Sequence, residues 1–388
     1  MLTWKLLKRS AIMHVLDLTM YYAAEGGGIS SYLNAKTKWL ARNNQARHTI
    51  LSSSAQGGGL APSVIALPGF AFPGINGYRI PTSLRTPARM VERCRPDVLE
   101  VGDAGPCALA ALHVRRRLQV PLIGFYHSDL HALVGERFGA RAAAITGKYL
   151  RHVYNQFDLV LAPSRLMVHR LAELGVADPV HQPLGVDTDI FSPERRDADL
   201  RRRLGLPAET RLLVYAGRFT PQKKLNVLIE AVRRLGPPYH LLLVGGGDAL
   251  PASPNSTVLP FERDPRRLAR LLASCDMLTH PGDGETFGLI ALEAMACGLP
   301  VLGTGGGVAE LIDADTGLVV APDSPASMSE GIEALFGADL ARLGANARHK
   351  ACAHFDWNRI MPQLMERYTA LLASRRLADA NPEVCLAE

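Results

Sequence analysis

Short apolar runs alternate with longer stretches of helical periodicity along most of the chain, and this alternation predicts the secondary structure. The apolar runs predict buried strands, which are Ile12–Leu18, His48–Ser52, Val64–Leu67, Pro96–Val101, Pro121–Tyr126, Asp158–Ala162, Arg211–Ala216, His240–Val244, Met277–Thr279 and Val301–Gly303. Helical spacing predicts helices that include Ala108–Leu118, Ala140–Phe157, Arg165–Leu174, Asp264–Cys275, Pro325–Phe336, Asp339–His354 and Trp357–Ser374. Strands that alternate with helices in this way indicate an α/β protein with doubly wound parallel sheets.

The length of the chain favours two sheets rather than one. A chain of 388 residues is longer than a single hydrophobic core usually supports. The polar run Pro193–Arg203 is interpreted as the linker between two domains. The six cysteines have no metal-binding spacing, which is typical of a reduced, cytosolic protein. No run of about 18 apolar residues occurs, so we expect no membrane-spanning helix.

Two carboxylates stand out in the stretch from His280 to Leu311, where a loop, a helix, a short strand and a glycine-rich turn follow one another. Glu285 precedes the predicted helix and Glu293 lies about two turns along it, so both side chains can face one side. Each has a simpler explanation, since acids are favoured in a first helical turn and on a solvated face. However, the neighbours of Glu293 are Ala, Leu and Met, and an acid in such surroundings is costly without a partner.

The segment E-T-F-G-L-I-A-L-E-A-M-A-C-G-L-P-V resembles the E-x7-E signature of the retaining glycosyltransferases of family 4. It is most like the lipid-directed members, such as phosphatidylinositol mannosyltransferases and diacylglycerol glycosyltransferases. The resemblance implies that Glu285 contacts the donor sugar and Glu293 the nucleotide ribose. It also implies that the backbone amides of Phe287, Gly288 and Leu289 meet the sugar and diphosphate, which agrees with the affinity of helix N-termini for anions.

The same resemblance implies the GT-B fold, in which two Rossmann-like domains face each other with the active site in the cleft between them. We therefore expect residues 1–185 to form an acceptor-binding domain and residues 186–356 to form a nucleotide-sugar-binding domain. The last helix, at about residues 357–374, would pack back on the first domain. The segment P-L-G-V-D-T-D-I-F resembles the hinge of the family.

Two features of the first predicted domain add candidate site residues. A glycine turn after the first strand contains Gly27 and Gly28, and from its residues alone it is either a tight turn or a ligand loop. In the family, a G-G loop at this place lies over the donor diphosphate and acceptor. His127 follows a strand at the edge where open α/β sheets bind ligands, although a lone histidine there is usually an ordinary loop residue. The segment Y-H-S-D resembles the family's Y-H-x-D/H, in which the histidine lies close to the donor sugar. His127 therefore joins Glu285 as a candidate catalytic residue.

A basic pair follows the first strand of the second predicted domain. The segment G-R-F-T-P-Q-K-K resembles the family's G-R-L-x-x-x-K-G, so Arg218 and Lys223 match the residues that hold the donor pyrophosphate. Lys224 replaces the final glycine, and either lysine could reach the phosphates. The alternative is a solvated basic loop. Two cations at a strand end would take up the charge of a departing diphosphate.

We expect no metal site and no cofactor apart from the nucleotide-diphosphate-sugar that serves as donor. DxD pairs occur at Asp187/Asp189, Asp197/Asp199 and Asp313/Asp315. None of them ends a central strand opposite a nucleotide loop, so we interpret all three as structural. The expected reaction is retaining transfer of a sugar to an acceptor hydroxyl. The alternative from another class is a non-catalytic nucleotide-sugar-binding protein with the same fold.

The net charge of +6 is unevenly distributed along the chain. Residues 1–190 contain 21 Lys and Arg against 13 Asp and Glu, whereas the remaining residues contain 22 against 24. Together with an uncharged aromatic loop at 68–78 and the arginine-rich segment Arg79–Arg95, this predicts a peripheral protein on an anionic cytoplasmic membrane, with a lipid or lipid-linked acceptor. A soluble or polysaccharide acceptor is the alternative. Nucleic acid is not expected, because the basic residues lack interleaved aromatics.

Overall fold

The computed structural model describes residues 12–23, 27–55, 63–71 and 77–380. These residues form two units, and each unit is built around one large sheet. The first unit contains the described residues up to Ala162, Arg170–Val180 and the chain from Met361 onwards. The second unit contains Pro163–His169 and His181–Ile360.

The elements as far as residue 181 supply most of the first unit. They are β1 (Met13–Leu18), α1 (Gly28–Asn43), β2 (Ala46–Ser52), β3 (Val64–Ala66), β4 (Gly69–Ala71), β5 (Arg79–Pro81), α2 (Arg85–Cys94), β6 (Val98–Val101), α3 (Pro106–Leu118), β7 (Leu122–Phe125), α4 (Leu130–Phe138), α5 (Ala140–Tyr154), β8 (Leu159–Ala162), α6 (Arg165–Glu173) and β9 (Val180–His181).

The elements after residue 181 supply the second unit and the last helix. They are α7 (Leu200–Arg203), β10 (Arg211–Phe219), α8 (Leu225–Leu235), β11 (Tyr239–Gly247), β12 (Ser256–Leu259), α9 (Pro265–Ala273), β13 (Met277–His280), α10 (Leu289–Ala296), β14 (Val301–Gly303), α11 (Gly306–Ala309), β15 (Gly317–Val319), α12 (Pro325–Phe336), α13 (Leu340–His354) and α14 (Trp357–Ala380). Short 3-10 turns occupy Pro193–Arg195 and Pro221–Lys223.

Both large sheets have the strand order of a doubly wound Rossmann-like fold. The first runs β3-β2-β1-β6-β7-β8-β9 and the second β12-β11-β10-β13-β14-β15. In each sheet the chain starts at a central strand, adds strands out to one edge, and then returns to build the other half of the sheet. The neighbouring strands of the second sheet are parallel throughout. The α/β prediction is therefore confirmed, and ligands of such sheets bind at the carboxyl ends of the strands.

The central strands form because their apolar runs are buried on both faces, as parallel sheets require. Every residue of β6, β7 and β13 is buried. Leu16, Leu99 and Leu122 belong to the core of the first unit, whereas Leu213 and Leu241 belong to a separate core in the second. In the part of the chain that the structure describes, no helix has the length and apolar character needed to cross a bilayer.

The structure differs from the sequence prediction in two places. The segment 68–78 was expected to be a long loop, but Gly69–Ala71 and Arg79–Pro81 pair as an antiparallel hairpin. Strands of three residues are too short for a period of two to be recognised. Residues 72–76, which include two of the expected apolar side chains of this loop, lie outside the described residues. Helix α4 was also not predicted, although Asp129 caps it by accepting a hydrogen bond of 3.1 Å from the Ala132 N–H.

A network of buried charges connects α1 to the middle of the first sheet. The Lys36 side chain is only 1% exposed, and its ammonium lies 2.8 Å from Asp17 Oδ2 and 3.2 Å from Glu100 Oε1. Asp17 lies on β1 and Glu100 on the neighbouring β6, where the two residues are register partners. His48 of β2 contacts Asp17, and the Tyr32 hydroxyl donates a 2.8 Å bond to Glu100. Each buried charge therefore has a partner, as burial away from water demands.

From Met361 onwards helix α14 belongs to the first unit, where it completes this network. The Lys36 ammonium donates a 2.8 Å bond to the Tyr368 hydroxyl, which itself donates to Glu100. About two turns further along the helix, Arg375 donates to Gln119 O at 2.6 Å and to Asp158 Oδ1 at 2.8 Å. Tyr368 is fully buried, so this helix is fixed by specific polar contacts as well as by apolar packing.

We predict that Lys36→Met lowers the free energy of unfolding by about 3–5 kcal/mol, because it leaves two buried carboxylates without their cation. Chemical denaturation that reports on the first unit measures the loss. The control is Lys148→Met, since Lys148 is an exposed lysine of α5 in the same unit and its loss should change stability by less than about 0.5 kcal/mol. Equal effects of the two substitutions would contradict the role given to the network.

Candidate active site

Two neighbouring strands of the second sheet deliver charged groups to the same carboxyl edge. Strand β10 ends at Phe219 and is followed by the turn that carries Lys223, and its neighbour β13 ends at His280. The loop after β13 carries Glu285. The Lys223 ammonium and His280 Nε2 both contact Glu285 Oε1, the latter at 3.2 Å. The fold thus brings together residues that are 62 positions apart in the chain.

Glu285 is held in its ionised form by these neighbours. Burial alone would raise the pKa of its carboxyl group, but the positive charge of Lys223 and the hydrogen bond with His280 lower the pKa well below its ordinary value. The side chain keeps 22% of its exposure, so a ligand can still reach it. Glu285 can therefore accept hydrogen bonds from ligand hydroxyl groups at any physiological pH.

The structure assigns different contacts to the two adjacent lysines. Lys224 lies in the left-handed region at φ 51°, which turns its side chain to Asp283 at 2.8 Å and Asp323 at 2.7 Å. Lys223 instead contacts Glu285. Lys224 is thus neutralised by two carboxylates that tie the loops together, and Lys223 is the lysine beside the expected sugar-binding acid.

Arg218 lies at the same end of β10, and its residue is exposed. Its carbonyl oxygen accepts a 3.1 Å hydrogen bond from the Tyr215 hydroxyl, which fixes the backbone at this position. No contact between Arg218 and Glu285 is recorded among the described residues. The structure therefore places Arg218 at the expected edge of the sheet without joining it to the Lys223 cluster.

Glycines let two backbone segments approach each other beside Glu285. Gly288 precedes α10 at φ +98°, and a Cβ atom there would lie 2.4 Å from Val308 Cγ2. A Cβ atom on Gly307 would lie 2.5 Å from the Phe287 nitrogen, and the Gly307 N–H donates a 2.6 Å bond to Glu285 O. Helix α10 then begins at Leu289 with no side chain capping its N-terminus. Uncapped N–H groups of this kind stabilise an anion such as a phosphate.

Glu293 lies on α10 among Ala291, Leu292 and Ala294, which are fully buried. Burial raises the pKa of Glu293 to about 8, so its carboxyl group is largely protonated at neutral pH. The structure records no hydrogen bond or ion pair for this side chain within the described ranges. A protonated carboxyl group both donates and accepts hydrogen bonds, which suits a neutral hydroxyl ligand.

The other sequence-predicted site residues belong to the first unit. His127 follows β7 and is buried, and its ring stacks on Phe125 with centroids 4.1 Å apart. Burial lowers the pKa of His127 to about 4, with Glu100 opposing the decrease and Lys36 adding to it. The imidazole is therefore neutral at physiological pH, so it is not available there as an imidazolium general acid.

Gly27 and Gly28 stand at the start of α1. Gly27 has an ordinary φ of −84°, and no described atom lies within 4 Å of the place that a Cβ atom would take. Neither backbone strain nor packing within the described residues requires glycine at this position. The interpretation of this turn as a ligand loop stays a prediction.

Family comparisons give this geometry its context. One family model, glycosyltransferase family 4, matches residues 26–190, and another, glycosyl transferases group 1, matches residues 210–337. A GDP-mannose-dependent alpha-mannosyltransferase of Mycolicibacterium smegmatis is 31% identical over 298 residues, which are 74% of this chain and 76% of that protein. The chain belongs to glycosyltransferase family 4.

Two further comparisons cover nearly the whole chain. A GDP-mannose-dependent alpha-(1-6)-phosphatidylinositol dimannoside mannosyltransferase of Mycobacterium tuberculosis (strain ATCC 25177 / H37Ra) is 28% identical over 386 residues, 95% of this chain and 99% of that protein. The sucrose-phosphate synthase structure from Thermosynechococcus elongatus superimposes with a TM-score of 0.78 at 21% identity, covering 93% of this chain and 100% of that one. The protein is a glycosyltransferase, and its two Rossmann-like units are those of the GT-B fold.

The family signature predicted Glu285 and Lys223, but sequence reasoning did not single out His280 or the glycines after β14. His280 was treated as part of a loop, whereas it ends β13 and touches Glu285. A polar residue that ends an apolar strand five positions before a candidate acid is the signal that could have found it. Among the residues the structure describes, no three His, Cys, Asp or Glu side chains are grouped so that they could hold a metal ion.

We predict that Glu293 makes the folded protein less stable as the pH rises. Because its pKa is about 8 in the folded state against an ordinary 4.5, the folded protein retains a proton that the unfolded chain releases, and stability is lost through this range. We therefore compare the free energy of unfolding of Glu293→Gln with that of the wild type at each pH. The difference, variant minus wild type, should increase by about 2 kcal/mol from pH 5.5 to 7.5. Urea denaturation at several pH values measures it. Glu333→Gln, an exposed position in the same unit, serves as control, and parallel curves for the two variants would refute the prediction.

Proposed function

We propose that this glycosyltransferase moves a mannosyl group from GDP-mannose to a hydroxyl group of a membrane lipid or lipid-linked sugar, with retention of anomeric configuration. The observation that carries the proposal is the Lys223–Glu285–His280 cluster beside the uncapped N-terminus of α10. The two relatives described above are both GDP-mannose-dependent, which supports the choice of donor.

The charges of the second unit suit a diphosphate that leaves with the nucleotide. Lys223, Arg218 and the first N–H groups of α10 would take up the negative charge that develops as the glycosidic bond breaks. The ionised Glu285 would accept hydrogen bonds from the sugar hydroxyls, and the protonated Glu293 would bind the ribose. These groups can neutralise a diphosphate by themselves, so we propose that no divalent metal is needed.

In a retaining reaction of this kind, the acceptor oxygen forms its bond to the anomeric carbon on the face from which the diphosphate departs. The acceptor proton then passes to an oxygen of the leaving phosphate, so that the products are the glycoside and GDP. We assign His127 to the neighbourhood of the reacting sugar, where its neutral ring can exchange hydrogen bonds with a hydroxyl group. We assign Gly27 and Gly28 to the loop that admits the diphosphate and acceptor.

The donor site makes a sharp prediction. Arg218→Ala should weaken GDP binding by about 1.5–2 kcal/mol, roughly a factor of 10–30, because a charge-assisted contact is lost at an exposed position. Glu285→Gln should not weaken GDP binding, because it frees Lys223 for the diphosphate, and it should lower turnover of GDP-mannose by about 100-fold or more. Calorimetry with GDP and a transfer assay with a lipid extract, each with and without EDTA, give the measurements.

The matched control is Arg211→Ala, because Arg211 lies at the opposite end of the same strand and stacks on Tyr239. Its GDP affinity should equal that of the wild type. Unchanged GDP binding by Arg218→Ala would remove Arg218 from the site. GDP binding without any turnover would favour the non-catalytic alternative, and activity lost in EDTA and restored by Mg²⁺ would end the metal-free proposal.

Two exposed surfaces of the first unit support docking on an anionic membrane. Arg85, Arg89 and Arg93 are exposed at intervals of four along α2, so they line one face of the helix. On α5, the 70% exposed side chain of Ile145 lies between Arg141 and Lys148 at helical spacing. Cations that flank an exposed apolar side chain are typical of a helix that lies on an anionic bilayer.

More exposed apolar side chains extend the second of these surfaces. On α4, Leu133 is 43% and Phe138 67% exposed, and the Arg137 guanidinium lies 5.6 Å from the Phe138 ring centroid. Basic residues near an anionic leaflet contribute about 1 kcal/mol each. On the 68–78 segment, Phe70 is 47% exposed, whereas Tyr78 packs on Tyr21 with ring centroids 5.2 Å apart. The other two expected side chains, Phe72 and Ile75, lie outside the described residues.

We predict that the protein floats with liposomes that contain phosphatidylglycerol, and that binding weakens as salt is raised. Reversal of Arg85, Arg89 and Arg93 to Glu should reduce the bound fraction by about tenfold or more. The control reverses Arg266, Arg267 and Arg270, three exposed arginines on α9 of the second unit, and should bind like the wild type. No flotation at low salt, or transfer to a water-soluble acceptor instead, would overturn the membrane proposal.

A further inference from the structure

His280 makes two hydrogen bonds from a site closed to solvent. It is the last residue of β13, and its side chain is only 1% exposed. Nδ1 lies 3.0 Å from Gly282 O and Nε2 lies 3.2 Å from Glu285 Oε1. The ring is also packed against Tyr215, with centroids 5.7 Å apart. The histidine is therefore held in one orientation by the strand, the loop and the neighbouring ring.

Both ring nitrogens of His280 face oxygen atoms that accept hydrogen bonds. The Gly282 carbonyl can only accept, and the Glu285 carboxylate is ionised. An imidazole nitrogen that carries a hydrogen can donate to the oxygen it faces, so a ring with its hydrogen on Nε2 donates to Glu285 Oε1. The other ionisable groups that meet at this point are Lys223, Glu285 and Tyr215, and burial raises the pKa of Tyr215 and keeps its phenol neutral.

Lys223 has two tasks in the proposed reaction. In this structure its ammonium is bound to Glu285, yet the same cation is assigned to the donor diphosphate. A lysine has a flexible stem and can turn from one anion to the other. When it does, Glu285 loses its nearest cation in a largely buried position, where an uncompensated charge is strongly disfavoured.

We propose that His280 is a positioning residue that keeps Glu285 ionised and correctly oriented while Lys223 binds the donor diphosphate. This inference rests on the proposed function. It adds the group that stabilises the Glu285 charge when Lys223 moves from Glu285 to the diphosphate. His280 suits this task better than a second lysine, because its ring is fixed at the strand end and cannot follow the diphosphate. It acts through Glu285 and touches neither donor nor acceptor.

Two substitutions separate the two contacts of the ring. His280→Gln places an amide near the position of Nε2 and can still donate to Glu285, whereas His280→Asn places its amide near Nδ1 and keeps only the Gly282 contact. Their stabilities should be similar, since each retains one hydrogen bond. His280→Asn should lower kcat by about 10–100-fold, which corresponds to roughly 1.4–2.7 kcal/mol, with GDP affinity within about twofold of the wild type. His280→Gln should recover most of kcat.

A second readout does not depend on activity. In protein with ¹³C-labelled glutamate carboxyl groups, the Glu285 signal is identified by its loss in Glu285→Gln, and its titration is followed by NMR without donor. The Lys223→Met background imitates the lysine that has turned away. In that background, Glu285 should remain ionised when position 280 is His or Gln. When position 280 is Asn, the pKa of Glu285 should be at least one unit higher than with His. His240→Asn is the control, because His240 is a buried histidine at the amino end of β11 that contacts Thr257 at 2.8 Å.

The outcomes distinguish this inference from the proposed function. If the wild type transfers no mannose but the carboxyl titration responds as described, the proposed function fails and the coupling of His280 to Glu285 stands. Equal titrations for Asn and Gln would overturn the inference. So would a His280→Asn variant that loses GDP affinity in proportion to turnover, since that result describes a general structural defect.

Discussion

Compensation of buried charge is the constraint on which the first unit depends. Lys36 is fully buried, and its ammonium is shared by carboxylates from β1 and β6 and by the phenol of Tyr368. A lone ammonium in this place would be prohibitively costly, so strands, α1 and α14 have to meet in one arrangement. The second unit shows the same constraint in an accessible form, where Lys223 and Glu285 neutralise each other at the edge that must receive a ligand.

The alternation of strands and helices could be predicted from the sequence because parallel strands buried on both faces appear as apolar runs. Glu285 and Lys223 could be predicted because the family signature carries them. The importance of Lys36 could not, since its partners Asp17, Glu100 and Tyr368 lie 19, 64 and 332 positions away and no local pattern marks them. The β4–β5 hairpin was not predicted because its strands have only three residues each.

The two lysines at 223 and 224 show why a site needs backbone geometry as well as residue types. Adjacent lysines have the same chemistry in the sequence, and either could be assigned to the phosphates. The left-handed backbone of Lys224 sends its side chain to two aspartates, and only its neighbour reaches Glu285. His280 was overlooked for a related reason, because its contact with Glu285 depends on where β13 ends rather than on any motif.

The place of Tyr368 in the chain has a consequence for biosynthesis. It is 332 residues beyond Lys36, so at about 5–20 residues per second a ribosome needs on the order of 15–70 s to supply it after Lys36 has emerged. Until then the nascent amino-terminal sheet lacks the phenol that accepts a hydrogen bond from Lys36 and donates one to Glu100. The amino-terminal sheet therefore reaches its final state only after residue 368 has been made, although every one of its strands was made much earlier.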